Sequence, residues 1–386
     1  MVKSKGAILC VVGARPNFMK IAPLMAAFST APTPMPAKLI HTGQHYDEGM
    51  KGTFFEQLGI PEPDIDLGVG SGTHAVQTAE VMRRFEPVVD EHEPAAVLVV
   101  GDVNSTVACA LVAAKKGVPV IHVEAGLRSF DRSMPEEINR VLTDQLADLL
   151  FTTEESAREN LVREGISEDR VFFVGNIMMD TLHRNLPRAV PPGRTLAGLP
   201  GAHWSTHEPS NYGVVTLHRP SNVDDPTTLK RLLETLREIS DRLPLVFPIH
   251  PRTGDRIRAA GLDDLLDSDR IARLTPQGYL QMLGLVAHAQ VVLTDSGGLQ
   301  EETTALGVPC ITLRENTERP ITVTQGTNTV VGSDASLIMN AVTDVLATGG
   351  KRGRIPELWE GGTALRIRAV IQQWLEHGAS LQAVAG

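Results

Sequence analysis

Three carboxylic acids stand at or just beyond the ends of short apolar runs: Asp102 in Val100-Gly101-Asp102, Glu124 in His122-Val123-Glu124-Ala125-Gly126, and Glu136 in Ser133-Met134-Pro135-Glu136-Glu137. Carboxylates crowded at one sheet edge raise one another's pKa, so that one stays protonated as an acid beside an ionised base. Proton-transfer chemistry requires that pairing. Each group also has a plain structural reading. Asp102 is placed to cap a helix beginning near Asn104. Ser133 and Glu136 have the spacing of a capping box, and Glu136 and Arg140 that of a helix-surface ion pair.

A second set of residues suits anions. Leu293-Thr294-Asp295-Ser296-Gly297-Gly298 reads as a strand turning through two glycines into a helix that ends near Gly307. Glycines let backbone approach a ligand, and the free N–H groups and dipole at a helix start favour negative charge, so a diphosphate fits there. The alternative is an ordinary turn in which Ser296 is a cap and Glu301 and Glu302 favour the helix start. Gly13-Ala14-Arg15-Pro16 likewise places Arg15 and Lys20 at the opening of the first helix, where two cations oppose the dipole. Anion binding explains that inefficiency; solvated surface charge is the plain alternative. His218-Arg219 and His250-Pro251-Arg252 each follow a buried run and could hold phosphate through charge-assisted hydrogen bonds. No GxGxxG, HExxH or GxSxG pattern is present, so the motifs support no tightly held dinucleotide, no catalytic metal and no acyl-transfer serine.

These residues need a scaffold that brings strand ends together. Apolar runs at Ala7–Val12, Lys38–His41, Ala96–Val100, Val118–Val123, Leu149–Thr152 and Val171–Val174 alternate with helical patterns. A second series follows near Tyr212–Leu217, Leu245–Ile249, Ile271–Leu274, Val291–Thr294, Cys310–Leu313 and Thr329–Val331. Continuous apolar strands separated by helices indicate parallel sheets covered on both faces. The expectation is an α/β protein of two Rossmann-like domains facing a cleft. Residues 1–178 form the domain with the carboxylates and residues 179–362 the domain with the phosphate motifs. The Pro- and Gly-rich stretch Leu186–Pro209 connects them, and the final segment, 363–386, packs back on the first domain. Ligands of such sheets bind outside the strand carboxyl ends, which places the site in the cleft.

Composition agrees with an ordinary globular chain. Of 386 residues, 42% are hydrophobic and 21% charged. The net charge of −10 includes no basic cluster, which argues against nucleic acid as a partner. Cys10, Cys109 and Cys310 all sit in apolar stretches without metal-ligand spacing, as buried thiols do. The Ala7–Val12 run is too short for a signal peptide or a membrane span, so a cytoplasmic protein is expected.

Taken in order, Gly13-Ala14-Arg15-Pro16, His41-Thr42-Gly43-Gln44-His45, Gly101-Asp102, His122-Val123-Glu124-Ala125-Gly126-Leu127-Arg128, Pro135-Glu136-Glu137, Asp295-Ser296-Gly297-Gly298 and Thr317-Glu318-Arg319-Pro320 resemble the non-hydrolysing UDP-N-acetylglucosamine 2-epimerases. The resemblance implies the glycosyltransferase-B architecture, a UDP-sugar substrate, no metal or nicotinamide cofactor, and a homodimer. It implies Asp102, Glu124 and Glu136 as catalytic carboxylates and His218 as an active-site histidine. It matches Arg15, Lys20, Ser296, Gly297, Gly298 and Glu302 to diphosphate and ribose contacts, and Pro276 to Tyr279, with Gln277 and Tyr279, to the uracil. Arg140, His250 and Arg319 fall among the substrate-binding positions. Gln44 and His45 match an allosteric UDP-GlcNAc site, although Pro220-Ser221-Asn222 departs from the family pattern beside it. The implied reaction is elimination of UDP to 2-acetamidoglucal followed by re-addition with the proton on the other face. An epimerase of a modified UDP-sugar, a hydrolysing epimerase, a glycosyltransferase and a non-catalytic nucleotide-sugar sensor remain alternatives.

Overall fold

In a computed structural model, residues 6–30, 34–44, 55–199 and 211–377 are described. The chain divides into two compact units, one of Met1–Thr181 with Glu357–Gly386, the other of Leu182–Pro356.

The first unit is built on a seven-stranded sheet: β1 (Ile8–Val12), β2 (Ala37–His41), β3 (Ile65–Asp66), β4 (Ala96–Val100), β5 (Val120–Ala125), β6 (Leu149–Thr152) and β7 (Val171–Phe173). Its order is β3-β2-β1-β4-β5-β6-β7, and all neighbours are parallel. Every residue of β1, β4, β5 and β6 is buried, as expected of strands covered by helices on both faces. Order reverses between β1 and β4, so the crevice beyond their carboxyl ends is the position where such sheets bind ligands.

Two details depart from the sequence expectation. β5 begins at Val120 rather than Val118, because the Val118 N–H closes the preceding helix on the Ala113 carbonyl and Pro119 has no N–H to give. The two-residue β3 had no apolar run to announce it. It is fixed by Asp64, which accepts the Leu39 N–H at 2.8 Å, and by Asp66, 3.0 Å from Nδ1 of His41.

The second unit carries six parallel strands: β8 (Gly213–Thr216), β9 (Leu245–Pro248), β10 (Ile271–Leu274), β11 (Val291–Thr294), β12 (Cys310–Thr312) and β13 (Asn328–Val330). The order β10-β9-β8-β11-β12-β13 again reverses beside the first strand, between β8 and β11. Helix Pro226–Ser240 shows how local sequence assembles the layer. Asp225 accepts the Thr227 and Thr228 N–H groups as N-cap, Pro226 opens the first turn, and Leu229, Leu232, Leu233, Leu236 and Ile239 bury one stripe. Each buried Leu or Ile contributes roughly 1.5–3 kcal/mol.

The stretch expected as an interdomain connection is instead part of the second unit over its described length. Val190 N–H bonds the Leu280 carbonyl, and Leu196 is buried with Tyr212, Val214 and Leu285. Residues 200–210 lie outside the described residues. Helix Thr363–His377 belongs to the first unit and packs on helix Arg15–Ser29. Asp180 accepts its first N–H groups, from Thr363 at 3.0 Å and Ala364 at 2.8 Å, and buried Trp359 donates from Nε1 to Thr153 at 3.1 Å.

Candidate active site

In the first unit, Asp102 leaves the end of β4 with its carboxylate partly exposed and 2.6 Å from Nη1 of Arg140. It does not cap the next helix. That helix, Asn104–Lys115, has Val103 as its N-cap, without a side-chain bond. Arg140 is only 2% exposed, and its Nη2 lies 2.7 Å from Glu137. Glu137, which sequence reading passed over in favour of Glu136, also accepts the Ser129 and Phe130 N–H groups at 2.9 Å each. Burial works against its charge, but these N–H groups and Arg140 outweigh burial and hold its carboxyl below the usual range. Glu136, half-buried, occupies the first turn of helix Pro135–Leu146. The capping-box reading fails, since Met134 is the N-cap and the Ser133 hydroxyl donates to Asp131.

Glu124 sits on the adjacent strand in a conformation few glutamates adopt. Its φ is +73°, the ladder between β5 and β6 shifts register at this residue, and its side chain is 2% exposed. A left-handed non-glycine residue costs about 1–3 kcal/mol and persists where surroundings over-determine it. Here Lys20, itself buried, lies 2.7 Å from the Glu124 carboxylate. Lys20 was expected as a diphosphate contact; in this structure it is the partner of Glu124.

His122 and Asp144 form a buried pair that the sequence did not single out. His122 is fully buried, with Nδ1 2.7 Å from Asp144 and Nε2 2.8 Å from the Gly101 carbonyl oxygen. A carbonyl only accepts, so Nε2 carries a proton. Asp144 also meets Arg128 at 2.7 Å and accepts the Gly126 N–H at 3.1 Å. Burial opposes its ionisation, yet His122 and Arg128 together depress its pKa.

In the second unit, Asp295 follows β11 and is fully buried. It accepts the backbone N–H groups of His218 and Arg219, both at 2.9 Å, and the Asn222 amide at 3.1 Å. His218, partly exposed after β8, has Nδ1 2.8 Å from the same carboxylate. That contact fixes Nδ1 as the inward nitrogen and leaves Nε2 as the edge available for chemistry. Desolvation raises the Asp295 pKa, but His218 and the backbone donors bring it below the ordinary value. The His250 ring stands 5.6 Å from His218, centroid to centroid, and its Nδ1 accepts the Arg252 N–H as N-cap of helix Pro251–Ala259.

Helix Gly297–Leu306 begins at the same sheet edge. Ser296 is its N-cap but makes no side-chain cap bond, so the first N–H groups are not taken by a serine. A Cβ on Gly297 would lie 2.7 Å from Glu318, whereas one on Gly298 would meet only open space. Glu318 is buried against Arg314 at 2.8 Å, with Arg219 at 3.8 Å, and Arg319 pairs with Glu301 at 2.9 Å. Three arginines thus face two carboxylates beside a helix N-terminus, an environment suited to a doubly charged anion. Tyr279 is buried, and its pKa rises, first by desolvation and then by the neighbouring Glu302 carboxylate. Gln277, next to it, donates to the Thr275 carbonyl at 2.7 Å.

Some expected residues have other surroundings or fall outside what is described. Gln44 is buried: its side-chain oxygen accepts from the Ser105 N–H and hydroxyl, and its backbone carbonyl accepts from Gln77. Arg15 opens its helix, but its side chain lies outside the described residues, as does the whole of His45. Among the described residues, no group of three His, Cys, Asp or Glu is arranged to hold a metal ion, and no helix is long and apolar enough to cross a membrane.

The family model described as UDP-N-acetylglucosamine 2-epimerase matches residues 30–372. The chain belongs to this family. It is 44% identical to the UDP-N-acetylglucosamine 2-epimerase of Methanocaldococcus jannaschii, covering 87% of this chain and 91% of that one. It is 41% identical to the UDP-2,3-diacetamido-2,3-dideoxy-D-glucuronate 2-epimerase of Pseudomonas aeruginosa, over 86% of this chain and 90% of the relative. The crystal structure of the M. jannaschii epimerase in complex with UDP-GlcNAc and UDP superposes with a TM-score of 0.85, covering 95% of this chain and 99% of that one. The Neisseria meningitidis enzyme bound to UDP-GlcNAc gives 0.86 at 29% identity, with 95% and 100% covered. The two Rossmann-like domains expected from the sequence are those of the 2-epimerase family.

Proposed function

We propose that this protein interconverts UDP-GlcNAc and UDP-ManNAc by elimination and re-addition of UDP. The observation that carries this reading is the pair of carboxylates at the carboxyl ends of adjacent strands, Asp102 on Arg140 and Glu124 on Lys20, one of them held in a costly backbone conformation. The sugar C2–H is not acidic by itself. As the C1–O bond to UDP breaks, positive charge grows at C1, a carboxylate takes the C2 proton, and the C1=C2 bond of 2-acetamidoglucal forms. In the return step a UDP phosphate oxygen bonds C1 as the C1=C2 bond takes up a proton on the opposite face of C2, so no atoms are gained or lost and the net change is inversion at C2. Each carboxylate acts with a cation already paired to it, which lets charge move without a bulk-solvent response.

The second unit binds the nucleotide. Helix Gly297–Leu306, with Ser296, Gly297 and Gly298, receives the diphosphate; Arg319, Arg15 and Lys20 add cations; Glu302 holds the ribose; Gln277 and Tyr279 flank the uracil. His218, oriented by Asp295, meets the leaving phosphate, and His250 stands beside it. Glu136 completes the set of acids. The first unit, expected from the sequence as residues 1–178 with the final helix and bounded here as Met1–Thr181 with Glu357–Gly386, is the catalytic domain; the second, expected as 179–362 and bounded here as Leu182–Pro356, is the nucleotide domain. The enzyme is a cytoplasmic homodimer supplying precursors of cell-surface polysaccharide, a part of the reading that rests on the family resemblance alone.

The similarity to the P. aeruginosa diacetamido-glucuronate epimerase favours a second reading, in which the sugar is a diacetamido uronate and the chemistry at C2 is unchanged. Incubation with each UDP-sugar in turn, followed by chromatographic separation of the epimers, tests both. Conversion of UDP-GlcNAc supports the first; conversion of the uronate alone supports the second; turnover of neither sinks both.

A further inference from the structure

We propose that the buried pair His122–Asp144 is a positioning clamp that sets the two catalytic carboxylates relative to each other. This rests on the assignment of Asp102 and Glu124 to proton transfer. Asp102 lies just beyond β4 and Glu124 near the end of the adjacent β5, and each is close to a glycine of positive φ, Gly101 and Gly126. His122 ties the first: its Nε2–H donates to the carbonyl of Gly101, the residue before Asp102, at 2.8 Å. Asp144 ties the other: its Oδ2 accepts the N–H of Gly126, two residues after Glu124, at 3.1 Å. The His122–Asp144 contact of 2.7 Å joins the two arms, and both side chains are fully buried.

The clamp has an outer anchor. Arg128 lies 2.7 Å from Asp144 and 2.6 Å from Glu164, so Asp144 is held from three directions. The unusual backbone of Glu124 sits between the two tied points, inside the bulge where β5 and β6 lose register. A residue in a left-handed conformation relaxes unless its neighbours are fixed. His122 precedes Glu124 by two residues on the same strand and so cannot move without it. Proton transfer is sensitive to such placement, since a misplacement of about 1 Å costs on the order of a hundredfold in rate. His122 and Asp144 touch no substrate in this account; they act through Gly101 and Gly126.

Two near-isosteric variants separate the arms. An asparagine at position 122 places its amide where Nδ1 stands and keeps the Asp144 contact, but cannot reach Gly101. A glutamine places its amide near Nε2 and keeps the Gly101 contact. We expect His122→Asn to lower kcat about a hundredfold with KM for the UDP-sugar and Kd for UDP within about twofold of the parent. His122→Gln should retain kcat within about fivefold. Parent-like kcat in His122→Asn, equal losses in the two variants, or losses confined to KM would overturn the clamp. If His122→Asn no longer binds UDP, Asp144→Asn carries the test. It keeps an acceptor for Gly126 and a donor for a neutral His122, so kcat should stay within about tenfold; a larger loss contradicts the clamp. Asp102→Asn and Glu124→Gln serve as controls. Full turnover in both removes the underlying assignment, whereas their inactivity beside an active His122→Asn removes the clamp alone.

Discussion

Glu124 occupies a backbone region that favours glycine, and its carboxylate is almost wholly buried against Lys20. Natural sequences tolerate such a cost where placement matters more than stability. Neither the conformation nor the partner was legible in the sequence, although the acid itself was, because apolar strands announce their own ends. Glu137, Asp144, Asp295 and Glu318 were missed for a related reason. Glu137 adjoins Glu136, and only the tertiary register decides which of the two turns inward; Asp144, Asp295 and Glu318 take their surroundings from partners distant in sequence, His122, His218 and Arg219. Two predictions belong at this scale. Asp102→Asn should lose turnover by a factor of about a hundred to ten thousand while titration calorimetry finds UDP binding within about twofold, as loss of an acid–base group implies; normal turnover would remove Asp102 from the mechanism. Gly297→Ala would bring a methyl 2.7 Å from Glu318, which Arg314 holds in place. UDP affinity should fall about tenfold by calorimetry, and unchanged affinity would place the diphosphate elsewhere.

At the level of elements the apolar runs announced every strand but β3. β4, β6 and β11 fall on the expected residues, because a strand buried on both faces is apolar over most of its length, and so does the edge strand β10 despite its exposed Arg273. The Leu186–Pro209 stretch has the composition of a linker, but its described part docks on the second unit through the Val190–Leu280 hydrogen bond, the burial of Leu196 and a close approach at Gly284. A Cβ on Gly284 would lie 1.8 Å from the Val190 carbonyl oxygen. Backbone cannot yield as a flexible side chain does, so Gly284→Ala should destabilise by about 2–3 kcal/mol in urea denaturation; a neutral result would mean that the segment is not seated on that helix. Asp180 supplies a charged acceptor to two N–H groups of the final helix. Its replacement by alanine should cost about 2 kcal/mol by the same measurement and leave UDP affinity unchanged.

For the whole molecule, four buried acids, Glu137, Asp144, Asp295 and Glu318, have pKa values below the ordinary values of their carboxyl groups. Burial pulls each upward, and cations or N–H donors outweigh it. A folded pKa below the unfolded one contributes stability that is complete above the unfolded value, 3.8 for Asp and 4.5 for Glu, and is lost as pH falls through the folded value. Urea midpoints should therefore drop on acidification below about pH 5, and Glu318→Gln should be less stable than the parent at about pH 7 but converge with it in acid. A constant gap between the two at all pH values would contradict the depressed pKa. The central claim, proton exchange at C2 during loss and return of UDP, has one direct measurement: proton NMR of the protein with UDP-GlcNAc in deuterated water. The account predicts UDP-ManNAc carrying deuterium at C2, with no free sugar. UDP-ManNAc that retains the original C2 proton, or free ManNAc with UDP, would contradict it.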